Sequence, residues 1–500
     1  MKLIIKNIGS SLLLQLVTII CGFIVPRLII SNYGSDVNGL VTSITQFLAY
    51  ITLLEAGFGP VVKSLLYKPI VKNDKETIKK ILKASEKIFR RIAYIFIIYI
   101  AILCLILPNV ISSDFEYLYK LSLIVIISIS TFFEYYFGMT YKLFLHADQK
   151  VYVTQVINIS TLILNTILIV VLVKFGSSIQ VVKLVSAFVF LLRPLFHNLY
   201  VRKKYNIDLK GVDDTYVIKQ KWDALVNHVA FIIRSNTDVV VLTLFSNIKE
   251  VSVYSVYMLV TNGLRSLVYS FSGGMDASFG KMIAKNEYDK LKEKFNKFVI
   301  YYYSVSSILF ISAYFVIVPF VSVYTKGITD ANYIRPVFSG LMVLSVFLLT
   351  LKDPYNDLVK VVGHFKQTKK GAFVEAILNI IISLSLVFKF GLIGVAIGTV
   401  VSTFVRTIEI SIYSTKKIIK TSLSFFIERS IVIIVDFFII YFIVRLFDSF
   451  KVNNYVNWFI YACIVTLIST VVVFGIELLL KLIKKNQKNV DIKWHIWYYL

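Results

Sequence analysis

The sequence predicts an all-α integral membrane protein of about 14 transmembrane helices, arranged as two parallel six-helix bundles plus a C-terminal helix pair. Three observations predict it. Of 500 residues, 57% are apolar and the mean hydropathy is +0.76, more than a water-facing surface tolerates. The apolar residues gather in runs of roughly 20, the length a helix needs to cross about 30 Å of hydrocarbon with every backbone group satisfied internally. Lys and Arg collect in every second connection, as cytoplasmic segments do.

Taken in order, the first span, 9–31, follows Lys2 and Lys6 and is too long for a signal-peptide core, with no small-residue cleavage site after it. It is expected to stay in the protein. Span 38–65 leads into the basic segment "KPIVKNDKETIKKILKASEKIFRR", and spans 91–110, 117–141, 151–173 and 178–200 follow before "VRKKYNIDLKGVDDTYVIKQK". Spans 224–246 and 251–275 precede "KMIAKNEYDKLKEKFNK"; 298–325 and 332–359 precede "KQTKK"; 371–389 and 392–415 precede "KKIIK". Spans 429–447 and 455–480 end at "KLIKKNQK". An even number of spans between basic segments places all of these on one side, so both termini are expected to be cytoplasmic. A missed or extra helix would scramble the alternation.

The net charge of +25 is spread over short loops between apolar spans rather than gathered on a domain. Topology and anionic inner-leaflet lipid account for it, and no nucleic-acid partner is expected. Cys21, Cys104 and Cys463 fall within spans and lack metal-ligand spacing, so neither a metal nor a cofactor is expected. Nor is an enzyme: the loops are short, His197 and His228 have no evident nucleophile or metal partner, and no glycine-rich phosphate loop follows a strand.

The chain repeats itself. "HADQ" at 146, "LN" at 164, "KFG" at 174, "VSAF" at 185 and "KK" at 203 return as "HFKQ" at 364, "LN" at 378, "KFG" at 389, "VSTF" at 401 and "KK" at 416. Six spans separate the copies, so both halves have the same orientation. This divides the chain into a first six-helix lobe at 1–210, a second at 222–420, and two further helices with a basic tail at 421–500. The structural reading of the shared motifs puts His146 and His364 at helix ends and Gly176 and Gly391 in tight turns. Gly391, Gly394 and Gly398 are spaced for close helix approach.

With two parallel halves, "YGSDVNGLVTSITQFLAYITLLEAGFG", "TDVVVLTLFSNIKEVSVYSVYMLV" and "LNIIISLSLVFKFGLIGVAIGTVVS", the chain resembles bacterial polysaccharide flippases, relatives of the multidrug MATE exporters. The resemblance covers essentially the whole chain but carries no catalytic signature. It implies alternating access that moves a lipid-linked oligosaccharide, usually on undecaprenyl pyrophosphate, from the inner to the outer leaflet of a bacterial cytoplasmic membrane. Capsule, O-antigen, exopolysaccharide or similar pathways are served in this way, with a polysaccharide polymerase and glycosyltransferases as expected partners.

Charges at bilayer depth cost roughly 2.5–3.5 kcal/mol each on insertion scales, so they invite a functional reading. Arg234 and Arg265 lie near the midpoints of their spans and Arg27 in the first, from the other lobe. A guanidinium stays ionised and can grip phosphate oxygens with two donors, which makes these three candidates for a pyrophosphate clamp. The structural alternative for Arg234 is Asp238, one turn away on the same face; Arg265 has no acid three or four residues to either side. Arg193, before Pro194, is expected to snorkel, and Arg406 to pair with Glu409. Glu55, Asp238 and Glu134 are candidate counter-ions or carriers of a coupling ion, H⁺ or Na⁺; Glu55 stands beside Gly57, Gly59 and Pro60, which permit bending. The rival reading is a MATE-type ion-coupled multidrug exporter, which should offer acids to cationic drugs. Many such exporters carry an aspartate in the first helix; residues 9–31 contain no acid and one arginine.

Overall fold

The computed structural model describes residues 2–55, 58–209, 211–212, 222–270, 275–446 and 450–499. Gly57, named above beside Glu55, lies outside them. Every regular element among the described residues is helical. The helices are α1 (Lys2–Tyr33), α2 (Ser35–Ala49), α3 (Thr52–Glu55), α4 (Gly59–Lys72), α5 (Lys75–Val110), α6 (Tyr117–Phe133), α7 (Met139–Ala147), α8 (Val151–Lys174) and α9 (Ile179–Tyr205). They continue as α10 (Trp222–Phe245), α11 (Ile248–Ser270), α12 (Met275–Ala284), α13 (Tyr288–Tyr324), α14 (Pro336–Val362), α15 (Phe365–Phe390), α16 (Leu392–Tyr413), α17 (Ser424–Arg445) and α18 (Tyr455–Tyr499). Single π-helical turns at Glu134–Gly138 and Ser414–Ile419 follow α6 and α16.

Among the described residues eleven helical segments are long and apolar enough to cross a bilayer, against the fourteen spans expected, and the expected span 38–65 is divided among α2, α3 and α4. The remaining three, α10, α11 and α17, carry Arg234 and Asp238, Lys249 and Arg265, and Arg429 and Asp436. The chain is a multi-pass membrane protein with ionisable groups buried on several of its helices, among them Asp353 of α14 and Glu375 of α15.

Local chemistry sets the helix ends. The Asp74 carboxylate accepts the Thr77 amide hydrogen at 3.0 Å and caps α5. Gly34 (φ 87°) breaks α1 from α2, and Gly363 (φ 77°) closes α14. The repeated "KFG" motifs form matching turns, Gly176 at φ 68° between α8 and α9 and Gly391 at φ 52° between α15 and α16. Gly394 and Gly398 do permit close approach, since a Cβ on either would run into Leu386 or Ser383 of α15.

Contacts group the chain into two compact units that do not follow its linear halves. The first holds residues 1–259, 327–332 and 365–402; α1 packs on α8, α8 on α9, and α10 on both α15 and α2. Leu12, Leu13, Leu16 and Ile20 line the exposed side of α1 as a lipid-soluble face. In the second unit (260–326, 333–364 and 403–500), α13 packs on α14, α17 and α18. Its core joins Ile308, Ile311 and Val316 of α13 to Ile440 and Val444 of α17 and to Val465 and Val473 of α18. Ile427, Ile431, Ile434, Phe438 and Phe442 leave the outward stripe of α17 apolar, at helical spacing.

Candidate functional site

Among the described residues Asp238 is the best-enclosed carboxylate of the first compact unit, 4% exposed at mid-length of α10. Because α10 packs against α15 and continues through a two-residue turn into α11, three helices bring partners to it. Tyr254 of α11 donates its hydroxyl to Oδ2 at 2.9 Å, and Asn379 of α15 donates Nδ2 to Oδ1 at 3.4 Å. The Thr399 hydroxyl of α16 lies 2.8 and 2.7 Å from the two carboxylate oxygens. Asn379 also donates to Thr399 at 3.0 Å, while its own Oδ1 is buried with no hydrogen-bond partner. The Asp238 carboxylate and the hydroxyls of Tyr254 and Thr399 thus converge, with Asn379 presenting its amide nitrogen to them. Such a set of oxygens suits a proton or a hard monovalent cation, and suits an apolar or soft ligand badly.

One turn earlier on α10, Arg234 places Nε 3.6 Å from Glu375 Oε1 of α15, both side chains about nine-tenths covered. The carboxyl within one turn on its own helix, Asp238, is engaged by Tyr254 and Thr399. Arg234 thus has an ion-pair partner on a neighbouring helix, Glu375, while its charge also acts on Asp238.

In the second unit Arg265 meets Asp353 of α14, with Nη2 at 3.0 and 3.2 Å from the two carboxylate oxygens. Its own helix lacks a nearby acid, as its sequence context indicates; the neutralising charge comes from 88 residues away. Arg27 lies half-buried in α1 directly after Pro26. Glu55 and Glu134 belong to a separate cluster in the first unit: Tyr135 donates to Glu55 Oε2 at 2.9 Å, and Lys142 sits 3.2 Å from Glu134 Oε1. The π-helical turn places Tyr135 and Glu134 on adjacent positions, and Gly138 lets Pro194 of α9 lie against that turn. Arg193, expected to snorkel, has contacts within the protein. It donates Nε to Thr161 at 2.8 Å and lies over the Phe190 ring. Arg406 pairs with Glu409 as its spacing indicates.

Sequence reasoning missed Tyr254, Thr399, Asp353 and Tyr135, all ordinary residues whose role arises only from packing. Asn379 did leave a signal, as the second residue of the repeated "LN" motif; its counterpart Asn165 is likewise buried with Oδ1 unpartnered. Among the described residues no group of three or more His, Cys, Asp or Glu could hold a metal. Cys21, Cys104 and Cys463 are all unpaired thiols.

The path of the chain matches that of the lipid II flippase MurJ, solved in an inward closed conformation, with a TM-score of 0.65 over 94% of this chain and 100% of that one at 15% identity. This is the MurJ/MATE fold. A eukaryotic MATE transporter aligns at TM-score 0.53 and 14% identity, over 84% of this chain and 96% of that one. An inward-facing multidrug-resistance MATE transporter of the MOP superfamily aligns at 0.53 and 14%, over 81% and 94%. The MatE family profile matches residues 224–385. That segment of the MurJ/MATE fold contains Arg234, Asp238, Tyr254, Arg265, Asp353, Glu375 and Asn379. No sequence match is found among the curated proteins.

Proposed function

We propose that this protein is an alternating-access transporter of the MOP superfamily that flips an undecaprenyl-pyrophosphate-linked oligosaccharide outward across a bacterial cytoplasmic membrane. In this reading the lobes are residues 1–210 and 222–420, the helices of 421–500 are additions to them, and both termini are cytoplasmic. One observation carries the choice of a flippase. The likeness to the lipid II flippase extends over 94% of the chain, against 84% and 81% for the MATE transporters. The absence of any acid in residues 9–31, where one arginine stands, supports an anionic headgroup.

Arg27, Arg234 and Arg265 are the proposed pyrophosphate contacts. Arg234 and Arg265 already hold carboxylates, so a pyrophosphate would compete with Glu375 and Asp353 for guanidiniums that are otherwise neutralised. Release of those acids would link headgroup binding to helix movement. Asp238 is the proposed coupling site for H⁺ or Na⁺, supported by its enclosed set of oxygens, with Glu55 and Glu134 as a second acidic cluster. Polymerase and glycosyltransferase partners follow from the pathway. A MATE-type multidrug exporter is the second reading, favoured by the MatE profile match and by the acids that neutralise two of the three arginines.

The test is a deletion strain. Inner-leaflet accumulation of lipid-linked oligosaccharide, with export restored by the parent chain but not by Arg27→Ala, Arg234→Ala or Arg265→Ala, supports the flippase. Full rescue by all three variants refutes the clamp. Unchanged glycan export together with raised sensitivity to cationic dyes identifies the drug exporter.

A further inference from the structure

Within four residues of α11, two neighbouring parts of the first compact unit are tied together. Tyr254 bonds to Asp238, while Ser252 and Ser255 accept from Asn38 Nδ2 of α2 at 2.8 and 3.1 Å. Tyr254, Ser252 and Asn38 are all buried. Asn38 belongs to a line of contacts along α2. Ser35 donates from its amide and hydroxyl to Asp330 at 2.6 and 2.8 Å, and Lys249 lies 3.4 Å from Asp36. Ser43 and Thr243 of α10 bond at 2.7 Å, and Gly39 lies so close to the Ile248 carbonyl that no side chain fits. Away from water a donor that loses its acceptor has no replacement, so the buried Asn38–Ser252 and Ser43–Thr243 bonds are costly to break.

Asp238 and Asn38 therefore share one rigid helical turn. The tyrosine has one proton to donate, and a carboxylate oxygen that takes up a proton or ligates a cation is a poorer acceptor for it. The groups facing Asp238 are Arg234 on its own helix, Tyr254 from α11, Tyr50 after the end of α2, and Glu375 through Arg234. Of these only Tyr254 lies on the turn that holds Asn38. We propose that Tyr254 relays occupancy of Asp238 to the seal between α2 and α11, so that a bound proton or Na⁺ weakens the Asn38 bonds and frees α2. The relay rests on the reading of Asp238 as the coupling site. In the proposed topology this seal faces outward.

The full chain, with Cys21, Cys104 and Cys463 replaced by serine and Ser43→Cys and Thr243→Cys introduced, reports the seal as disulfide yield under mild oxidation. Binding is read separately, as the shift of Tm with NaCl against choline chloride and with pH. In the parent, Na⁺ or acid should raise Tm, and Na⁺ at constant pH should lower the yield by at least about fivefold, the lower end of ordinary coupling between sites. Tyr254→Phe, which removes one hydroxyl from the site, should lose the change in yield even at NaCl concentrations high enough for its own Tm shift to be complete; the double variant Ser252→Ala/Ser255→Ala should give low yield under every condition. A Tyr254→Phe yield that responds like the parent overturns the relay. If Tm ignores both ions in the parent, or Asp238→Asn responds as the parent does, the coupling-site reading itself fails.

Discussion

Arg234 and Glu375 share a buried contact, so removing one partner leaves a charge in an apolar interior. Arg234→Ala should lower stability by about 3–5 kcal/mol, read as a fall in Tm, and Glu375→Gln by a similar amount, whereas Arg234→Gln/Glu375→Gln should recover most of the loss. Recovery of stability without recovery of export would support the proposed role of the arginine in transport beyond packing. At Arg265 the two contacts to Asp353 need a planar fork; Arg265→Lys keeps the charge but should weaken the pair, with loss of export at nearly parental Tm if the arginine grips a headgroup. Both arginines were legible as deep charges from hydropathy alone. Their partners were not, because Glu375 and Asp353 stand 141 and 88 positions away in the sequence and only helix packing makes them neighbours.

Among the elements, the hairpins α8–α9 and α15–α16 were legible because a repeated "KFG" demands a left-handed glycine at each turn. Gly398 adds a packing demand that the spacing of glycines also foretold. Gly398→Ala would force Ser383 aside and should cost about 1–3 kcal/mol, while Gly176→Ala, with open space around it, should cost only the strain of its backbone. For α5 the cap is solvent-exposed. Thr77, through its hydroxyl and its amide, holds the Asp74 carboxyl below the usual carboxylate range. The capping contribution is thus complete at neutral pH and disappears as pH falls through that range. Asp74→Ala should speed amide exchange in the first turn of α5 at pH 7 and change little in acid. The π-helical turn at Glu134–Gly138 had no such sequence signature; Pro194 of α9 packs so close to Gly138 there that a Cβ would clash.

For the whole molecule, the proposed outward movement of an anionic headgroup across an inside-negative membrane would be downhill by about 2.3 kcal/mol per charge per 100 mV. Collapsing the potential in proteoliposomes at constant substrate gradient should slow net flipping, and unchanged rates would remove the field as a driving force. The sequence by itself determined that the chain is helical, that it crosses a membrane many times, and that it repeats. Those properties follow from local quantities: hydropathy over about 20 residues, the sign of charge in alternate loops, and the backbone demands of glycine. Tertiary structure alone decided which charges meet. It paired Arg234 with Glu375, Arg265 with Asp353, and Asp238 with Tyr254, Asn379 and Thr399, and it grouped residues 365–402 with the first compact unit. The physical reason is that helix periodicity shows which face of a helix a residue occupies, whereas the neighbour across that face depends on the packing of helices far apart in the chain.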